Sequence, residues 1–337
     1  METFPPDVLR VVLAQAGRAP SVHNTQPWHW RQTRRGVDLY VDQRRQLMHA
    51  DRNGRDMVIS CGAALHGLVV AAAAEGWAAT VDRLPDPQAP MLIARVLFSR
   101  KPGTVHDQKL AEAATRRRTD RRAPASWPVP QDRVDRLTRV AALHGTLLTT
   151  LGGTHGRQLS RTLVTTAMRI QHLNESYLDE LFTWARAEQL GVGIPVTQQL
   201  TRETVARLHD APSRFPSGVL DDAPARRTSE EPQDSWLVLS TSSDDRLSWL
   251  RTGEALLAIW LDCVAGGLSL VPFSQPIEVE QTRITLQDGA LRGASCPQLM
   301  LRVGWPSALS EPVRLTPRLD VDEVLTTTAS AQATARG

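Results

Sequence analysis

Gly62-Ala63-Ala64-Leu65 and Gly253-Glu254-Ala255-Leu256 are the stretches on which the fold turns. Each is expected to open a long apolar helix. The first helix stops near Gly76 and the second near Gly267, so the glycine-to-glycine spacing is the same in both. Each helix leads to a strand with a matching core, Leu92-Ile93-Ala94-Arg95-Val96 in one case and Leu299-Met300-Leu301-Arg302-Val303 in the other. Earlier helices correspond more loosely. Pro6 to Ala16 places Leu9, Val12, Leu13 and Ala16 on one face, with proline at the start and Gly17 at the stop. Gln131 to Leu143 repeats that layout after Val129-Pro130. Helix plus strand, recurring in the same order, argues for an internal duplication over chance likeness of Ala-rich helices. Two copies of one unit should pack like a homodimer, with the apolar helices at a pseudo-twofold interface.

The unit mixes long helices with a mostly antiparallel sheet. Trp28 to Asp42 reads as a hairpin in which Val37, Leu39 and Val41 alternate with Asp38, Tyr40 and Asp42. The fold class is therefore α+β. Met57 to Ala74 is apolar and nearly long enough to span a bilayer. His66 lies in the middle of it, and a helix buried in a protein core is the better reading. The second half carries an extra segment, roughly Gln171 to Asp234. It begins helically, with Tyr177, Leu178, Leu181 and Trp184 in register, and turns polar and Pro-rich from Ala211. A long irregular insertion of this kind reads as a lid, a binding loop or a disordered stretch.

Composition excludes several classes. The 337 residues are 41% hydrophobic and 22% charged, as expected of a globular chain with a sizeable core. The net charge of +3 gives little support to a nucleic-acid partner. Cys61, Cys263 and Cys296 lie far apart and suggest neither a disulfide framework nor a metal site. The start, Met1-Glu2-Thr3-Phe4-Pro5-Pro6, lacks a signal-peptide pattern, so a cytoplasmic location with no membrane partner is expected.

Two motifs carry chemistry. Ala19-Pro20-Ser21-Val22-His23-Asn24-Thr25-Gln26-Pro27-Trp28 places a Pro-Ser turn, an Asn amide and a Gln-Pro-Trp run directly after a helix. Such a segment can offer short hydrogen-bonding groups to a planar, polar-edged ligand. Arg116-Arg117-Arg118-Thr119-Asp120-Arg121-Arg122 is the densest charge run. If it is extended, Arg117, Thr119 and Arg121 face one side, and two guanidinium forks beside a hydroxyl make a phosphate receptor. Arg116, Arg118 and Arg122 would then face elsewhere. A further basic residue, Arg318, stands near the C-terminus.

Together these motifs resemble the FMN-dependent nitroreductases. The resemblance is to the Acg-type subfamily, the actinobacterial NAD(P)H nitroreductases, and it runs from about residue 5 to 325. It is also carried by Asn53-Gly54-Arg55, Ser60-Cys61-Gly62-Ala63-Ala64-Leu65 and Pro297-Gln298-Leu299-Met300-Leu301-Arg302-Val303-Gly304. The resemblance implies a nitroreductase-like fold, a fused pseudo-dimer of two diverged units with a lid. The first half would span 1–108, the second 109–325 with the lid at about 171–234, and 326–337 would be a disordered tail.

By the same resemblance the cofactor-binding residues are Pro20, Ser21, Asn24 and Gln26 from the first half, and Arg117, Thr119, Arg121 and Arg318 from the second. Pro20 would pack on the ring system, and Ser21 and Asn24 would bond the ribityl or phosphate. Arg117, Thr119 and Arg318 would hold the phosphate. Arg121 stands where most nitroreductases have a Lys at the pyrimidine edge. No side-chain nucleophile is required, because the flavin carries the chemistry. The implied activity is NAD(P)H-dependent, ping-pong hydride transfer through FMN to a nitroaromatic or quinone-like acceptor. The alternative is an FMN-sequestering protein with a closed lid. The chain is expected to be a monomer that resembles a dimer.

Overall fold

The computed structural model describes residues 4–201, 214, 218, 220, 233–306 and 311–327. Within them two units follow one another along the chain. The first has α1 (Pro6–Ala16), β1 (Trp28–Gln32), β2 (Gly36–Val41), α2 (Arg55–Ala74), β3 (Trp77–Arg83), β4 (Leu92–Arg100) and α3 (Val105–Arg116). The second has α4 (Gln131–Leu143), β5 (Leu147–Leu151), α5 (Gly153–His172), α6 (Glu175–Ala185), β6 (Ser235–Thr241), α7 (Arg246–Ala265), β7 (Ser269–Phe273) and β8 (Cys296–Gly304). A last short strand, β9 (Leu325–Thr326), ends the described chain.

The sheets repeat one topology. The first runs β3-β4-β2-β1-β9 and the second β7-β8-β6-β5, every pair antiparallel except β1 with β9. Even the irregularity recurs. The β2–β4 register shifts between Leu39 and Tyr40, and the β6–β8 register shifts between Leu239 and Ser240. Such bulges are placed features, so their recurrence supports duplication more strongly than helix likeness does.

Helices α2 and α7 cross at the glycines that open the repeat argument. A Cβ on Gly62 would lie 2.1 Å from Leu250 O, and one on Gly253 would lie 1.9 Å from Ile59 O. The contacts are reciprocal, since Ile59 and Leu250 each stand three residues before their own glycine, as a pseudo-twofold axis requires. The expectation that these glycines open their helices is corrected. Both lie inside 20-residue helices, and their role is close backbone approach. Helix α2 is buried on nearly all faces, which accounts for its apolar sequence without a bilayer.

Where the first unit has a tight β1–β2 hairpin, the second inserts everything between Leu151 and Ser235. The insertion therefore begins earlier than Gln171, because α5 runs unbroken from Gly153. Of the polar stretch from Ala211 to Asp234, only 214, 218, 220, 233 and 234 are among the described residues. A boundary at 108 falls inside α3, and one at 325 falls inside β9, where Thr326 pairs with Arg31. Residues 328–337 lie outside the described residues.

Candidate functional site

The loop after α1 has an uncommon backbone. His23, Asn24 and Gln26 all have positive φ, at 49°, 55° and 52°. Non-glycine residues avoid this region, and a cluster of them persists only where the surroundings enforce it. The loop is closed internally. Ser21 Oγ accepts from Gln26 N at 3.0 Å, and Ser60 Oγ on α2 accepts from Val22 N at 3.3 Å. Pro20 is half-buried at the start of the turn.

Arg117 enters the same region from the end of α3. It is 5% exposed, and its guanidinium lies 4.5 Å from the centre of the Trp260 ring on α7. Nη2 donates to Arg18 O at 2.9 Å, while Nη1 is buried with no hydrogen-bond partner. Arg318 Nη2 donates to the same Arg18 carbonyl at 3.3 Å. Among the described residues no carboxylate pairs with Arg117, Arg118 or Arg318. Burial, then Arg318, Arg118 and Arg18, push the Arg117 pKa well below its ordinary value. Burial, with Arg18 and Arg118, pushes Arg318 down to about 10. Among the described residues four guanidinium groups thus converge without a counter-charge, an arrangement that costs free energy unless an anion completes it.

Asn24 and Gln26 bind neighbouring chain. Asn24 Nδ2 donates to Gly193 O at 3.1 Å and to Pro317 O at 3.0 Å, and its Oδ1 accepts from Arg318 Nη1 at 2.9 Å. Gln26 Nε2 donates to Gly191 O at 2.7 Å, and its Oε1 accepts from Leu319 N at 3.1 Å. The first-unit loop is thereby clamped to the insertion on one side and to the C-terminal strap on the other. The strap is anchored further by the Arg10–Asp322 pair and by β9. Helix α6 docks beside it, where Glu180 accepts from the amides of His49 and Ala50.

Arg121 belongs to a different neighbourhood. Burial and Arg214, with Arg302 adding and Asp120 opposing, push it down to about 10. His23 is 3% exposed and held neutral, since burial, Arg214 and Arg121 all lower its pKa well below the usual value. Arg214, from the insertion, donates to Ser274 Oγ and to both oxygens of Glu278, each at 3.0 Å. Gln171 Nε2 also donates to Glu278. Burial raises the Asp56 pKa well above normal. Glu278 is held below normal because Arg214 and its hydrogen bonds outweigh burial. Asp56 is also ion-paired with buried Arg55, which donates from Nη2 to Oδ1 at 2.6 Å, so the two carboxyls are shifted in opposite directions within one buried network.

One motif of the sequence thus serves two clusters. The chain between Arg117 and Arg121 is irregular, and the charges that act on the two differ: Arg318, Arg118 and Arg18 on Arg117, and Arg214, Asp120 and Arg302 on Arg121. Thr119 sits half-buried between them. Arg116 is exposed at the helix end, as expected, whereas Arg118 joins the cationic cluster instead of facing away. Arg122 is buried and paired with Asp120. Sequence reasoning missed Arg18, Asp56, Arg214, Ser274 and Glu278. No spacing links them, and only the chain path brings them together.

Two diverged α+β units, joined across a glycine crossing with a cluster of arginines at their junction, define the class: a fused pseudo-dimer of α+β units. No family profile matches the chain. It is 35% identical over 332 residues, 96% of this chain and 93% of the other, to a Mycobacterium tuberculosis protein named "Putative NAD(P)H nitroreductase Rv3131". It is 32% identical over 321 residues to "Putative NAD(P)H nitroreductase acg" of the same organism, covering 94% and 95% of the two chains. The chain belongs to this family of NAD(P)H nitroreductases, the Acg type. Among solved structures, the FMN- and NADPH-dependent nitroreductase NfnB from a Sphigopyxis strain covers 64% of this chain and 97% of its own, at 19% identity and a TM-score of 0.42.

Proposed function

We propose that the Arg18–Arg117–Arg118–Arg318 cluster is the phosphate site of FMN, and that the protein is an FMN-dependent NAD(P)H oxidoreductase. The observation that carries this is the buried Arg117 Nη1 without a hydrogen-bond partner, in a cluster where the described residues place no carboxylate. A dianionic phosphate supplies the missing charge and accepts from several forked donors at once. Arg117 and Arg318 would hold it, with Arg18 and Arg118 adding field. Thr119 is the hydroxyl at hand, and Pro20 and Ser21 line the turn above. Arg121 would place a cation at the electron-rich edge of the ring, favouring its reduced form. When bound, FMN supplies the redox chemistry, accepting a hydride from NAD(P)H and passing it to a nitroaromatic or quinone-like acceptor in ping-pong order. His23, being neutral, leaves the positive charge there to the arginines.

One site per chain is expected. The pseudo-symmetric position is occupied by protein. There α4 passes to β5 through only His144, Gly145 and Thr146, and Gly145 lies against Arg251. His144 stacks edge-on with His66, and Arg83 forms a two-point ion pair with Glu254. Among the described residues no loop equivalent to Ala19–Pro27 stands between α4 and β5.

A second reading, FMN sequestration with little turnover, is favoured by the closure of the insertion on the loop through Asn24 and Gln26. Purified protein should be yellow and release one FMN per chain. Colourless protein that takes up no added FMN refutes both readings, and two flavins per chain refute the single-site argument. Rapid steady-state NAD(P)H oxidation with a nitroaromatic or quinone acceptor rules out sequestration. Its absence in flavin-loaded protein rules out the oxidoreductase.

A further inference from the structure

The Asn24 carboxamide touches three pieces of chain at once: Arg318 through Oδ1, and Pro317 O and Gly193 O through Nδ2. With both donor hydrogens and an acceptor engaged, only one orientation of the amide satisfies all three bonds. Its backbone, at φ 55°, lies in the left-handed region that asparagine tolerates better than most residues. The partners are equally fixed. Gly193 has φ 79°, and a Cβ there would lie 2.0 Å from Trp184 O, so that segment is locked against the end of α6. Arg318 Nη1 also donates to Pro317 O at 2.9 Å, and its Nη2 reaches Arg18 O beside Arg117.

We propose that Asn24 is a positioning residue that couples two events, the placement of Arg318 at the anion site and the closure of the Ala187–Gln199 segment. The proposal rests on the reading of that site as the FMN phosphate site. An anion that fixes the Arg318 guanidinium also fixes the N–H that Asn24 Oδ1 accepts. The amide is then aimed so that Nδ2 meets Gly193 O. Coupling of this kind is reciprocal, so closure must raise phosphate affinity by the factor with which phosphate favours closure. An aspartate could not substitute. It would neutralise one cation of the cluster and set a carboxylate against two carbonyl oxygens.

FMN and riboflavin differ by the phosphate alone, so their dissociation constants isolate the effect. Arg318→Ala should weaken FMN by about tenfold or more while changing riboflavin much less. Asn24→Ala should do the same, and the double variant should bind FMN no worse than Arg318→Ala, because Asn24 acts through Arg318. Additive losses, or equal losses for riboflavin, overturn the proposal. Wild-type protein that binds FMN no better than riboflavin overturns the phosphate reading beneath it. Hydrogen exchange on wild-type, flavin-free protein needs no variant. Inorganic phosphate, at constant ionic strength and with binding verified by thermal shift, should slow the amides of 187–199. Unchanged exchange overturns the coupling even where Asn24→Ala fails to fold.

Discussion

Arg117→Met should make the flavin-free protein more stable and its FMN complex weaker. Arg117 is 5% exposed, and the charges around it are Arg318, Arg118 and Arg18. The substitution removes one charge-assisted hydrogen bond, to Arg18 O at 2.9 Å, worth about 1.5–3 kcal/mol. It also removes the stacking on Trp260, worth about 1–2 kcal/mol. Against this stand the desolvation of the ion, several kcal/mol in real proteins, and the repulsion of three cations. Methionine keeps an unbranched apolar stem against the indole. The balance favours the variant by about 1–3 kcal/mol, within the range seen when buried charges are replaced by packed apolar groups. For a chain of this size each kcal/mol moves Tm by roughly 2 °C. FMN should weaken by about 2–5 kcal/mol, the cost of truncating one partner of a buried charge pair, or roughly 30- to 5000-fold. Thermal melts of flavin-free and FMN-saturated protein, with a flavin-fluorescence titration, read both quantities. A flavin-free variant that melts several degrees lower while retaining wild-type FMN affinity would refute the reasoning, since Arg117 would then be a structural cation with an unrecognised partner.

Gly253→Ala should cost about 3 kcal/mol or prevent folding, because its Cβ would sit 1.9 Å from Ile59 O and force the two core helices apart; the denaturant midpoint measures it. The Asp56–Glu278 pair predicts opposite pH behaviour for its members. Asp56 is raised above 3.8, so its contribution is lost as pH rises from the unfolded value through the folded one. Asp56→Asn, which also removes the carboxylate that Arg55 binds at 2.6 Å, should therefore compare better with wild type at neutral pH than in acid. Glu278 is lowered below 4.5, so its contribution is present above that value and lost as pH falls through its folded pKa. Glu278→Gln should cost about 3–5 kcal/mol at neutral pH by stranding Arg214, and less in acid. Denaturant melts at pH 4 and pH 8 compare the two, and a parallel pH response would refute the opposite shifts of Asp56 and Glu278.

The sequence by itself determined the α+β class, the duplication and the identity of the loop. These depend on periodicity and local rules. Pro6 with Gly17 bounds α1 at its observed ends, and the alternation of Val37, Leu39 and Val41 writes the inner face of β2. It also singled out Arg117 from the arginine run by its alternation with Thr119 and Arg121, while Arg318 was marked only by the family resemblance. Tertiary structure alone decided how these charges are shared. Arg117 and Arg121 are near neighbours in sequence but part company, because an irregular backbone imposes no alternation, and each side chain goes where burial and neighbouring charge direct it. Gly62 and Gly253 could be matched as equivalents from the sequence, yet only the crossing of α2 with α7 shows that they are the point of contact between units. The clamp formed by Asn24, Gln26, Gly191, Gly193 and Leu319 joins residues between 165 and 293 positions apart. Long-range hydrogen bonds leave no periodic trace, because their partners are fixed by where the chain returns and not by the residues beside them.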